Sequence, residues 1–281
     1  MVRIVTDTTS GLPRDQAAAL GIMMVPQIIV FGESSYRDDK EIDTERFLKL
    51  LRSSPVLPKT AAPPPALFTP LFEECAKRGE TVICLHPSTL LSGTVRSAVV
   101  ASQDFPGSDI RVVDTRTVCA PLAAIVLEAA AMARAGGTPD EILGRVTELM
   151  GCQHLFFVVD TLEFLQRGGR IGGAQRLLGE LLQIKPILTL QEGRVEPLER
   201  QRTRKKALGR LVELVTQGCP PREESHLSVM HADARQEALG LAAELSRLMG
   251  VPRIPLFELP PAIVVHGGPG LLGASYFDLC Q

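Results

Sequence analysis

Short apolar runs alternate with amphipathic, helix-forming stretches from the start of the chain. RIVTDT is an apolar run ending at Asp7, and SGLPRDQAAAL supplies turn residues and then helix formers, which predicts a strand, a turn and a helix. IMMVPQIIVFG predicts a second strand region, in which Pro26 requires an edge position or a bend. ESSYRDDKEID reads as a loop or hairpin tip, and Asp43 as the N-cap of a helix over DTERFLKLL. The proline-rich PKTAAPPPALF is extended around Thr60 and helical from near Ala66. TVICLHPS then predicts a strand, LSGTVRSAVVASQDF a helix and IRVVDT a strand. An Ala-rich helix over 122–134 follows, closed by Gly136 and Gly137, and Thr138, Pro139 and Glu141 open the next helix as a capping box. This rhythm predicts a mostly parallel, doubly wound sheet.

The pattern changes after Cys152. LFFVVDT and LEFLQRG lead into the glycine-rich RGGRIGG, and IKPILTLQEGRVEPLERQRT predicts two strands around a Glu-Gly turn. TRKKALGRLVELVTQG predicts a helix, HLSVMHAD a strand, ARQEALGLAAELSRLM a helix, and IPLFELPPAIVVH a final strand pair. The expected fold is therefore α/β in class: an N-terminal α/β domain over 1–153 and a C-terminal α+β domain over 154–281.

Composition narrows the function classes. A chain of 281 residues, 45% hydrophobic, is long enough to bury two cores, and a formal net charge of −2 gives no global attraction for nucleic acid or an anionic membrane. Apolar stretches are interrupted by Arg, Glu or Pro before the roughly 20 residues a spanning helix needs. MVRIVTDTTS lacks the regions of a signal peptide, so a cytoplasmic protein without stable membrane insertion is expected. Cys75, Cys84, Cys119, Cys152, Cys219 and Cys280 are scattered without CxxC or metal-ligand spacing, as for reduced, mostly buried thiols. His226 and His231, five apart across a strand, make no metal pair.

Within VVHGGPGLLG, Gly268, Gly270 and Gly273 spell GxGxxG, but Pro269 sits inside the turn. Too few residues remain before Gln281 for the long helix and ribose-binding acid of a dinucleotide fold. A backbone turn that presents His266 at a strand end is the better reading, with a pKa that a neighbouring carboxylate would raise. Ser92, Gly93 and Thr94 lie between a strand and a helix, where Ser92 is placed as an N-cap and free N–H groups favour an anion. Thr60 offers another hydroxyl. The basic ERQRTRKKALGR reads as a solvated helix start or, with Arg167 and Arg170, as a docking surface for a protein partner. It lacks the interleaved stacking aromatics of a nucleic-acid site.

The ordered set VTDTTSGLP, KTAAP, LLSGTVRSA, VVDT, LEFLQRGGRIGG, LLQIKPILTLQEGRVEPLERQRTRKKAL and VVHGGPGLLG resembles the DegV family across essentially the whole chain. These are fatty-acid-binding proteins that serve bacterial fatty acid kinase as its B subunit. The resemblance implies one long-chain fatty acid held between two domains, and no cofactor. Its carboxylate would lie at Thr60, Ser92, the Gly93 N–H and His266, and Arg170 would be a surface residue docking the catalytic subunit of the kinase. It implies a non-catalytic carrier that presents the carboxylate for conversion to an acyl phosphate, in the service of phospholipid synthesis. Two arrangements stay open for His266, which either touches the carboxylate or orients the hydroxyls that do. The chain departs from the family pattern at Ala61 and Ala62, at His86-Pro87-Ser88-Thr89, and around Cys119 and Pro121. Two other functions compete: a serine hydrolase or acyltransferase acting through Ser92 and His266, although LLSGT is not a GxSxG elbow, and a nucleic-acid role for the basic stretch.

Overall fold

A computed structural model describes residues 1–178 and 184–278. The first strand, β1 (Val2–Asp7), is followed by α1 (Arg14–Ala19) and pairs in parallel with β2 (Met23–Val25). Pro26 ends β2 at the sheet edge and redirects the chain into a hairpin of β3 (Ile28–Phe31) and β4 (Ser34–Arg37). SSYR is thus a strand within the segment expected to be a loop or hairpin tip, with the tip itself at Gly32 and Glu33. After α2 (Thr44–Ser53), capped by the Asp43 side chain, β5 (Lys59–Ala61) joins β3 to complete a small antiparallel sheet in the order β4-β3-β5. The wound half continues with α3 (Thr69–Lys77), β6 (Thr81–His86), α4 (Thr94–Ser102), β7 (Ile110–Asp114), α5 (Ala120–Arg134) and α6 (Pro139–Cys152).

The parallel sheet runs β2-β1-β6-β7 and is covered on both faces. Alternation divides its side chains: Ile4, Ile83 and Leu85 pack against α5 and α6, while Val5, Val82 and Cys84 pack against α3 and α4. This is the doubly wound arrangement the sequence predicts.

The second sheet opens with β8 (Gln153–Val158) and is built from β9 (Lys185–Gln191), β10 (Arg194–Gln201), β11 (Ser228–His231), β12 (Leu256–Glu258) and β13 (Leu272–Phe277). Among the described residues four α-helices accompany it: α7 (Glu163–Arg167), α8 (Arg204–Gly218), α9 (Arg235–Met249) and α10 (Pro261–Gly267). Its order is β10-β9-β8-β13-β11-β12, antiparallel except for β11 and β12, which are parallel and joined through α9. Phe156, Val158, Val229 and Leu272 face α8 and α9. The alternate residues Leu155, Phe157, Leu188 and Met230 face the other way, toward Ile29 of the small sheet, Phe47 of α2 and Val265 of α10. Three layers of different origin therefore meet on one apolar face.

PPAIVVHG is not the second member of a strand pair. Pro260 caps and Pro261 begins a helix, and Pro261, Ala262, Val264, Val265 and Gly267 are all buried. An apolar run this short has no periodicity to separate strand from buried helix. His266 therefore occupies the last turn of α10 rather than a strand end. The glycine turn beyond it, with Gly268 and Gly270 at φ of 77° and 81°, feeds β13. His226 lies before β11 in the left-handed region, its Nε2 3.1 Å from Glu128.

Two arginines of the basic stretch are tied down on the protein itself. Arg204 pairs with Asp160 and Glu237, and Arg210 with Glu199 and Glu213. Cys75, Cys84, Cys119, Cys152 and Cys219 are free thiols, all but Cys152 buried; Cys280 and Leu181 to Gln183 of the LLQIKPIL block lie outside the described residues.

In β13, Gly273 pairs with Phe157 on one side and Met230 on the other. A Cβ there would lie 2.8 Å from the Phe156 carbonyl oxygen and 2.9 Å from Phe157 Cβ. Gly273→Ala is expected to destabilise the protein by about 1–3 kcal/mol through overpacking, measured by urea unfolding; a midpoint equal to that of the parent would refute the close approach.

Candidate functional site

The shared apolar face encloses a cavity of about 780 Å³, its open mouth included. Leu155, Phe157, Leu190, Val195, Met230 and Leu271 line it from the six-stranded sheet and the turn before β13, with Leu259, Ala262 and Ile263 from α10 and its approach. Its polar lining side chains are few: Thr9, Gln27, Thr60, Ser92, Arg170 and His266, beside the buried thiol of Cys119.

Thr60 is positioned by β5, which pairs Thr60 with Ile29. His266 is positioned by the last turn of α10, and its Nε2 lies 2.7 Å from Thr60 Oγ1. Its Nδ1 is buried with no hydrogen-bond partner among the described residues. A Cβ on residue 168 would lie 2.2 Å from that nitrogen, so Gly168 is what lets the ring fit. Burial, reinforced by the Arg170 charge, lowers the imidazole pKa to about 4. The sequence-based expectation of a raised pKa fails because the charged neighbour is a guanidinium rather than a carboxylate.

Ser92 ends a tight turn in which Leu91 N–H and Ser92 N–H both donate to the Ser88 carbonyl. The helix cap falls one residue later than expected, at Gly93, with no side-chain cap bond. Ser92 Oγ instead accepts the Thr94 N–H at 3.3 Å and lies 2.8 Å from Thr94 Oγ1. Gly93 itself is exposed, outside the cavity lining, and its N–H has no acceptor among the described residues. It stays close to the Thr60 strand, since a Cβ on it would lie 3.4 Å from Ala62 Cβ.

Arg170 is turned inward. Its Nε donates to the Leu91 carbonyl at 2.9 Å and its Nη1 to the Gly168 carbonyl at 2.6 Å, and desolvation lowers its pKa. The guanidinium thereby ties the serine turn to the segment under His266. Thr60, Gly168, Arg170 and His266 also line a second, outer pocket with Lys59 and Arg167. The polar end of the cavity is thus a thin wall between an apolar interior and a basic exterior.

Thr60, Ser92, Arg170 and His266 are brought together. The serine and histidine are not paired with each other: the hydrogen bonds of their side chains run to Thr94 and Thr60. A base contacting the serine, which a hydrolase needs, is absent among the described residues.

The family profile described as "Uncharacterised protein, DegV family" matches residues 1–279. A DegV domain-containing protein of Halalkalibacterium halodurans is 36% identical over 277 residues, 98% of each chain. The chain belongs to the DegV family. Protein DegV of Bacillus subtilis is 33% identical over 278 residues, again 98% of each chain. Among solved structures, a DegV family protein from Thermus thermophilus described for its fatty acid binding superposes with a TM-score of 0.88, at 34% identity, over 98% of this chain and 99% of that one. Bacillus subtilis DegV, described as a fatty acid binding protein, superposes with the same TM-score at 33% identity and the same coverage.

The DegV chain also carries a buried polar cluster that the sequence reading passed over. Asp7 Oδ2 lies 2.8 Å from His86 Nδ1, and Asp7 Oδ1 accepts the N–H and O–H of Thr9 and Nε2 of Gln27. Asp7 and His86 are fully buried. The available signals were polar residues at strand ends: Asp7 closing RIVTD, His86 closing TVICLH, and Gln27 after the strand-breaking Pro26. No helix among the described residues is long and apolar enough to cross a membrane, and no described cluster of His, Cys, Asp and Glu has a metal-binding arrangement.

The depressed histidine pKa has a thermodynamic consequence. Between pH 6.5 and about 4 the unfolded chain binds a proton at His266 that the folded chain excludes, so stability falls as pH falls through this window. The loss is on the order of 3 kcal/mol. Histidine-selective NMR is expected to show His266 neutral at pH 5.5, and His266→Gln is expected to lose less stability than the parent between pH 6.5 and 4. An imidazole titrating near 6.5 would contradict both.

Proposed function

We propose that this protein binds one long-chain fatty acid, its tail in the apolar cavity and its carboxylate at the end formed by Thr60, Ser92 and His266. The observation that carries the reading is the cavity itself, an apolar-lined space with its few polar side chains joined through short contacts at Thr60, Ser92 and Arg170. The fatty-acid-binding descriptions of the two relatives above 30% identity support it.

Each buried CH₂ contributes roughly 0.8 kcal/mol, so a tail of ~15 methylenes gains about 12 kcal/mol before ordering costs. The carboxylate needs several donors to replace its hydration. Thr60 and Ser92 supply hydroxyls, the Gly93 N–H, unpaired among the described residues, lies just outside the lining beside Ser92, and Arg170 supplies a nearby positive charge. His266 acts through Thr60. Nε2–H donates to Thr60 Oγ1, since this tautomer leaves Nδ1 as a bare lone pair rather than an orphaned buried N–H. The threonine proton is then free for the ligand.

The protein acts as a carrier that presents the carboxylate to a separate kinase subunit. What supports this is the outer pocket, where Lys59, Arg167 and Arg170 flank the far side of the Thr60–His266 pair, a place where an incoming phosphoryl group would meet positive charge. Arg170 belongs to that docking face through its position on both pockets. The accompanying division into domains 1–153 and 154–281 is supported by the start of the six-stranded sheet at Gln153.

Organic extraction of purified protein followed by mass spectrometry is expected to release a long-chain fatty acid, and titration of delipidated protein to rebind it. No acid released and none bound overturns the reading. Thr60→Ala and Ser92→Ala are each expected to weaken binding by about 1–3 kcal/mol; unchanged affinity in both removes them from the site.

A further inference from the structure

We infer that Gln27 and Asp7 are positioning residues that make the Ser92 hydroxyl an obligate donor, so that the head-group site selects an oxyanion over an alcohol of the same chain length. The inference rests on the fatty-acid reading above.

A hydroxyl has one proton and two acceptor sites, so fixing its neighbours fixes what it offers a ligand. Asp7 Oδ1 already accepts the N–H and O–H of Thr9, at 3.0 and 2.6 Å. The Gln27 group 3.0 Å from the same oxygen is therefore the NH₂, whose second N–H reaches Thr94 Oγ1 at 2.9 Å. Thr94 Oγ1 accepts from Gln27, and because Thr94 is fully buried and Ser92 Oγ, at 2.8 Å, is the acceptor its hydroxyl has among the described residues, its own proton is assigned to Ser92. The Thr94 N–H reaches that oxygen too, at 3.3 Å. Both acceptor sites of Ser92 are then occupied, and its remaining proton points into the cavity that the residue lines.

The relay is held at each member. His86 anchors the second Asp7 oxygen, and the Gln27 backbone N–H donates to Asp38 Oδ1 at 2.8 Å and to Thr8 Oγ1 at 3.1 Å. Asp7, Gln27, His86 and Thr94 are buried, so solvent does not compete for these protons. A carboxylate, an acceptor only, matches the outcome. A primary alcohol has a proton of its own to place and meets no acceptor at Ser92. The same polarity deprives Ser92 of the free lone pair a nucleophile needs.

The test compares dissociation constants of hexadecanoic acid and 1-hexadecanol for delipidated parent, Gln27→Met, Ser92→Ala and the double variant. The parent is expected to prefer the acid by roughly a hundredfold, and Gln27→Met to lose about tenfold in acid affinity while alcohol binding changes little, narrowing the ratio. In the Ser92→Ala background Gln27→Met is expected to change acid binding less than about twofold, because its effect passes through Ser92. Gln27 lines the cavity, and the cycle separates the two roles: an equal loss with and without Ser92 means direct contact and overturns the inference, as does an unchanged ratio in folded Gln27→Met. Thr94→Val, which removes the hydroxyl that donates to Ser92, provides the same readout if Gln27→Met fails to fold. A parent that binds the acid but shows no coupling sinks this inference alone; a parent that binds no acid sinks the fatty-acid reading with it.

Discussion

Polar groups on the wall of an apolar cavity have no water to turn to, so each proton and lone pair must be committed to a neighbour or left for a ligand. At the polar end of this cavity the commitments are made by two short contacts, Thr60 with His266 and Ser92 with Thr94. In the proposed arrangement both use up acceptor capacity within the protein and leave hydroxyl protons for a ligand. An end lined with unspent donors, closing a space lined by leucine, valine, methionine and phenylalanine, has the chemistry of an amphiphile with an anionic head. In the proposed site His266, held neutral by burial, acts by orienting the Thr60 hydroxyl 2.7 Å away.

The fold exists to bring these two contacts together from remote parts of the chain. Thr60 comes from the small sheet, His266 from a helix of the six-stranded half, and Ser92 from the turn after the third strand of the parallel sheet. Arg170 pins the serine turn to the histidine side through the Leu91 and Gly168 carbonyls. Ser88 adds a second pin by donating to the Gly193 carbonyl at the tip of the β9–β10 hairpin. The site is thus a junction of elements, and its geometry depends on the packing of all three sheets.

Much of this was legible in the sequence. Short apolar runs alternating with helix-forming stretches, together with capping signals, placed the parallel sheet and its helices, and the KTAAP, SGT and HGGPG segments marked the residues that converge on the cavity. Two things were not legible. The short run PAIVVHG carries β-branched residues without periodicity, and only its burial on several sides makes it helical. The Asp7–Gln27–Thr94 relay joins residues spread over nearly ninety positions, and their adjacency exists only once β1 and β6 are paired, with Val5 opposite Cys84. The half-burial of Arg170 was not legible either: an arginine between glycines reads as exposed, and the hydrogen bond to the Leu91 carbonyl exists only in the folded chain.

The central claim is that the donors at the polar end hold an ionised head group inside an apolar enclosure. Donors to the charged form lower a carboxyl pKa, whereas burial without them raises it. ¹³C NMR of protein loaded with carboxyl-labelled hexadecanoic acid reads this balance directly. The account predicts a single bound carboxylate resonance with no titration between pH 8 and 5; a bound carboxyl that protonates with a midpoint near neutrality would contradict it.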